Sequence, residues 1–177
     1  MHRLFVALRP PKGVRDLLIN TMGGVEGMRW QDAEQLHLTL RFVGEVDGNL
    51  AEDLAAALGI VRFPPFDLQL AGVGRFQQRR GGALWAGVRP REPLAQLAAK
   101  IERMCQSVGL PPERRAFHPH ITLARWTGRA AVQPFLERYA AFASEPWPVD
   151  RFLLYESHLG RGGANYQAVA TYPLGTA

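Results

Sequence analysis

His37-Leu38-Thr39-Leu40 and His120-Ile121-Thr122-Leu123 are one four-residue pattern written twice. Each copy sits in apolar, β-prone surroundings, so each predicts a strand, over 36–43 and 117–125. Residues two apart on a strand share a face. His and Thr then point one way and the aliphatic residues the other. Two such strands facing each other would offer two imidazoles and two hydroxyls to one small anion. With 5 His and 6 Thr among 177 residues, a shuffled chain yields His-x-Thr about 0.17 times, and about 0.04 times with apolar partners. One copy alone reads equally as a half-exposed strand with a polar face. Two copies in matched surroundings do not.

Working outward, the surroundings repeat too. Leu4-Phe5-Val6-Ala7-Leu8-Arg9-Pro10 is echoed by Leu84-Trp85-Ala86-Gly87-Val88-Arg89-Pro90. A helix follows each, over 11–22 and 92–108, with proline opening the first. After each His/Thr strand comes a second helix, over 47–58 with Asp47 as N-cap and over 131–142. A strand ends each unit, over 66–73 and 148–157, with Gly44 expected to close the first His/Thr strand. The predicted fold class is therefore α+β: a single domain of two pseudo-symmetric lobes, with sequence repeats at about 3–73 and 83–157. A closing strand is expected over 166–172. The expected architecture is a duplicated bilobal fold, two antiparallel-rich sheets flanked by helices around a central cleft. Residues 74–82, with Arg75, Arg79 and Arg80 around Phe76, read as a flexible, RNA-contacting loop or a solvated hairpin.

Composition narrows the class. Length and apolar content suit one globular domain. Net charge is +5 and the sequence pI about 10.0, a balance that favours a polyanionic partner, nucleic acid first. The lone Cys105 excludes an internal disulfide or a cysteine-based zinc site, and its helical setting makes it a core residue. The N-terminal apolar run is too short for a signal peptide, and no stretch approaches a membrane span. A cytoplasmic monomer is expected.

The paired motif suits acid/base chemistry. Histidine titrates near pH 6.5, so one imidazole can act as base while its partner acts as acid. Threonine hydroxyls can donate to oxygens on which charge builds up. Such a set permits in-line attack at phosphorus with no metal and no cofactor. Arg41 shares the parity of His37 and Thr39, which would face it into the cleft. Arg125 has the opposite parity to His120 and could still reach a phosphate if the strand bulges or ends there. His118-Pro119-His120 invites a metal reading, but no acidic or cysteine partner lies near in sequence, so His118 reads as a rim or structural residue. Trp30, Phe42, Trp85 and Tyr155 lie near the strands and read as core or as stacking platforms for a base.

The two His-x-Thr-x motifs and their flanks resemble those of the two-histidine (2H) phosphoesterases. The similarity is greatest to the RNA 2',3'-cyclic phosphodiesterase family, also called 2'-5' RNA ligases. The resemblance extends through Leu36-His37-Leu38-Thr39-Leu40-Arg41-Phe42-Val43-Gly44, Phe117-His118-Pro119-His120-Ile121-Thr122-Leu123-Ala124-Arg125 and Leu154-Tyr155-Glu156-Ser157. It implies hydrolysis of an RNA 2',3'-cyclic phosphate end to a 2'-phosphate, with reversible, ATP-independent formation of a 2'-5' linkage. It also implies catalytic roles for His37, as proton donor to the leaving 3'-oxygen, and for His120, as the base that activates water. Thr39 and Thr122 would hold the non-bridging oxygens, and Arg125 would be a phosphate contact. The alternatives are a phosphoesterase for small cyclic nucleotides or ADP-ribose cyclic phosphate, and a non-catalytic RNA-binding module.

Overall fold

The computed structural model describes residues 1–175. Nine strands and four helices alternate in the order β1 (His2–Leu8), α1 (Lys12–Thr21), β2 (Arg29–Trp30), β3 (Leu38–Val46), α2 (Gly48–Leu58), β4 (Phe66–Gln78), β5 (Gly81–Arg89), α3 (Arg91–Ser107), β6 (Ile121–Thr127), α4 (Gln133–Arg138), β7 (Trp147–Val149), β8 (Arg151–Gly160) and β9 (Gly163–Pro173). Every strand pairing is antiparallel, in the order β7-β4-β5-β6-β3-β1-β8-β9, with β2 added to β6. The path has two halves, β3-β1-β8-β9 and β6-β5-β4-β7. A single residue pair, Leu38 with Ile121, joins them. The fold is α+β, as its strand and helix patterns predict.

The halves are not contiguous in sequence. β4 follows the first His/Thr strand along the chain yet pairs with β5 of the other half. β8 follows the second yet pairs with β1. Each half thus borrows the last strand of the other unit.

Helix faces explain the main core. In α3, Leu94, Leu97, Ala98, Ile101 and Cys105 recur at helical spacing, and all are buried. Burial pushes the Cys105 thiol up to about 11, as expected of an inert core residue. Asp47 caps α2, its Oδ1 accepting from Leu50 N–H at 2.8 Å. Among the described residues no helix is long and apolar enough to cross a membrane.

Several boundaries differ from the pattern-based expectation. β3 continues past Gly44, whose φ of +87° sits beside a register shift instead of ending the strand. β6 begins only at Ile121, because Pro119 has no N–H to give a ladder. The second-unit helix shortens to α4, and the strand expected over 148–157 breaks at Asp150 into β7 and β8. Of its two readings, the stretch 74–82 takes the hairpin. It is the end of β4, the two-residue turn Arg79-Arg80, and the start of β5.

Candidate active site

The two His/Thr motifs meet at the seam. The antiparallel pair Leu38 and Ile121 is flanked by His37 and Thr39 on one chain segment and by His120 and Thr122 on the other. Leu38 and Ile121 are buried, so the alternation of the pleat turns His and Thr to the opposite, cleft face.

Each imidazole is held the same way. His37 Nδ1 lies 2.7 Å from the Gln35 carbonyl, and His120 Nδ1 lies 2.6 Å from the His118 carbonyl. A carbonyl only accepts, so both Nδ1 atoms carry hydrogen, and in the neutral rings both Nε2 atoms are basic. Thr39 Oγ1 is 3.0 Å from His37 Nε2 and donates to it when the ring is neutral. Gln35 is itself fixed: its N–H and side chain bond reciprocally with Asp32, and its Nε2 donates to Ala164 O on β9 at 2.8 Å.

Aromatic rings wall each histidine. Phe5 and Tyr166 stand 4.9 and 5.1 Å from the His37 ring, and Phe5 also stacks on Tyr155 at 5.2 Å. Phe76 stands 4.8 Å from His120, edge to face, and Trp85 6.2 Å away. Gly74 makes room for this wall, since any Cβ there would overlap the Trp85 indole. Burial lowers the pKa of His37 to about 4; the hydrogen bond to Gln35 opposes this, and the charges of His120 and Arg125 add to it. Burial likewise lowers His120, opposed by the His118 carbonyl and reinforced by His118 and Arg125. Arg125 therefore lies within Coulomb range of both rings.

Arg125 reaches this position through a bulge. β5 pairs Trp85 with Thr122 and then Leu84 with Ala124, so Leu123 has no partner. The extra residue reverses parity: Leu123 and Ala124 are both buried and Arg125 is exposed. A matching bulge occurs in β3, where Ala7 pairs with Thr39 and Val6 with Arg41, leaving Leu40 over. There the same reversal buries Arg41. It is only 8% exposed, and it borders the cavity that Thr39 and His120 line. Its Nε donates to Glu102 Oε2 at 2.5 Å, one terminal nitrogen to the Phe42 carbonyl and the other to Pro111 O. Three of its five N–H donors are thus engaged within the protein.

The remaining candidates divide. Phe42 is 49% exposed and lines a cavity of about 500 Å³ with Thr39, Phe76, Phe117, His118 and His120. Tyr155 is buried, and Trp30 packs on Phe135 at 5.8 Å. Phe76 is half-buried against His118 and His120. Among the described residues no group of three His, Cys, Asp or Glu could hold a metal ion. Sequence reasoning passed over Phe5, Tyr166 and Gln35. For Gln35 a signal existed: Asp32-x-x-Gln35 has the form of a reciprocal capping box.

Known proteins resemble this chain in sequence and in fold. The 2'-5' RNA ligase superfamily matches residues 24–161. The RNA 2',3'-cyclic phosphodiesterase of Escherichia coli K12 is 34% identical over 180 residues, which cover 98% of this chain and 97% of that protein. One from Geobacillus stearothermophilus is 35% identical over 82% of this chain, and this chain spans 47% of its length. The crystal structure of E. coli LigT in apo form superposes with a TM-score of 0.83, at 32% identity over 99% of this chain and 98% of that one. The chain belongs to the 2'-5' RNA ligase superfamily.

Proposed function

We propose that this protein is an RNA 2',3'-cyclic phosphodiesterase that opens the terminal cyclic phosphate to a 2'-phosphate by paired-histidine acid/base catalysis. One observation carries the proposal: two imidazoles, each anchored through Nδ1, share a cleft face with two threonines at the seam, with Arg125 in Coulomb range of both rings. The relatives named above act on this class of end. A duplicated unit accounts for the near symmetry; the matching slots of β1 and β5, β3 and β6, and β4 and β8 support it.

In the proposed reaction His120 Nε2 removes a proton from water, and the hydroxide attacks phosphorus in line with the 3'-oxygen. His37 gives its proton to that oxygen as the P–O3' bond breaks. Thr39, Thr122 and Arg125 hold the non-bridging oxygens, where charge develops. Ligation keeps these roles, with a ribose 5'-hydroxyl in place of water, and cleavage of the 2'-5' linkage so formed reverses them.

His37 is neutral at pH 7 in the free protein, since its pKa is about 4. The substrate itself supplies the remedy. A phosphate monoanion about 4 Å away favours the imidazolium by about 4 kcal/mol at an effective dielectric near 20. That is worth about 3 pKa units, enough to protonate His37 near neutrality. Burial holds His120 below its ordinary value as well.

The test is one assay. RNA ending in 2',3'-cyclic phosphate is incubated with the protein in EDTA and the product isomer identified. A 2'-phosphate is expected. A 3'-phosphate contradicts the leaving group, and loss of activity in EDTA contradicts catalysis by side chains alone. A protein that only grips RNA would give no turnover.

A further inference from the structure

A second cavity, of about 420 Å³, lies at the seam and includes none of the candidate catalytic side chains. That volume falls within the range of small-molecule sites, about 300–1,000 Å³. Both half-sheets contribute to it. Its apolar wall includes Leu38, Ile121 and Trp147, and its charged wall includes Arg9, Arg15 and Arg151. The one carboxylate in the lining, Asp150, is held by Arg151 Nε at 3.0 Å. Arg9 meets Glu34 through one nitrogen. Arg15 pairs with no carboxylate among the described residues: it donates to the Pro10 carbonyl, and its Nε is buried without a partner. Its guanidinium thus brings to the cavity wall a positive charge that no carboxylate among the described residues offsets.

We propose that the seam cavity is a second, non-catalytic site for a nucleotide phosphate. Arg15, Arg9 and Arg151 face the anion and Trp147 lies against the base. A phosphate suits clustered guanidinium groups, and a nucleobase suits an indole wall. The site is joined to the reaction centre in two ways. Leu38 and Ile121 are the pair from which both His/Thr strands depart. Burial raises the Tyr155 phenol while the charges of Arg9 and Arg15 oppose this, so both stand near Tyr155, which stacks on the Phe5 that walls His37. The proposal rests on the phosphodiesterase reading only for where the nucleotide comes from: a free mononucleotide or another residue of the RNA strand.

Calorimetric titration of the intact protein with adenosine monophosphate tests it. Two sites are expected. His120→Ala should weaken one and Arg15→Gln the other, with Arg15→Lys restoring part of the second. A shift of the Trp147 indole NMR signal, lost in Arg15→Gln, locates the ligand without relying on stoichiometry. Kinetics separate the sources. If the RNA strand fills the site, Arg15→Gln raises KM for a cyclic-phosphate oligonucleotide about tenfold and leaves a cyclic mononucleotide unaffected. If a free nucleotide fills it, both KM values stay constant, and added adenosine monophosphate changes the wild-type rate but not the variant's. A single site in wild type, with no Trp147 shift and kinetics indifferent to Arg15→Gln, overturns the proposal. Failure of the wild type to hydrolyse any cyclic phosphate would fall on the phosphodiesterase reading instead, and the titration would still decide the seam site.

Discussion

The His37 side and the His120 side of the cleft are built alike and finished differently. Both strands bulge at the fourth residue of the motif, both hold Nδ1 on the carbonyl two residues upstream, and both wall the ring with aromatics. The two residues after each bulge then diverge. On the first side the buried position is Arg41 and the cleft position is Phe42; on the second they are Ala124 and Arg125. One side spends its arginine on the core, clamping Glu102 and the turn at Pro111. The other brings its arginine to the imidazoles. A near-symmetric scaffold thus carries an asymmetric charge.

The largest expected effect tests whether both sides are chemical. His37→Ala and His120→Ala should each lower kcat by at least about 100-fold on cyclic-phosphate RNA, the low end for a general acid or base. Near-wild-type turnover in either variant would break the pairing. Next comes the buried arginine. Arg41→Gln should leave kcat within about threefold. It should lower stability by about 2 kcal/mol in urea unfolding, short of the roughly 3–5 of a fully buried pair because Glu102 reaches solvent. A large rate loss with unchanged stability would return Arg41 to the cleft.

A smaller effect is expected at the divergent cleft position. Arg125→Gln should cost about tenfold in kcat/KM, as for one charged hydrogen bond, with stability little changed. Phe42→Leu should cost less, and mainly in KM. Equal losses at the two positions would mean that the asymmetry is not electrostatic.

The smallest signal is a pH shift. NMR titration of the free protein should place His37 near pH 4 and His120 below 6.5, with inorganic phosphate raising both. The alkaline limb of kcat should then sit at higher pH than that of kcat/KM, because the bound anion holds the proton on His37. Folding stability has the matching sign. Both folded values lie below the unfolded 6.5, so the unfolded chain takes up protons first. Stability from these rings is present above about pH 6.5 and lost as the pH falls toward about 4. Stability insensitive to His37→Gln across that window would contradict the burial of this ring.

Much of this was legible in the chain. Periodicity marked the α3 core face and made Cys105 a core residue; Asp47 marked the start of α2; two copies of one motif in matched order marked the candidate histidines and threonines. These are local properties, decided by which side chains lie two or three to four positions apart. Parity beyond the motif was not legible, because a bulge is defined by the partner strand. Only pairing with β1 and β5 shows that Leu40 and Leu123 are extra residues. That pairing sends Arg41 inward and Arg125 to the cleft. The exchange of β4 and β8 between halves, and the packing of Phe5, Phe76 and Tyr166 on the imidazoles, were likewise decided by contacts far apart in sequence. The sequence by itself determined which groups could do the chemistry; the tertiary structure decided which of them face one another, because strand register and half-sheet pairing are set by partners that local spacing does not encode.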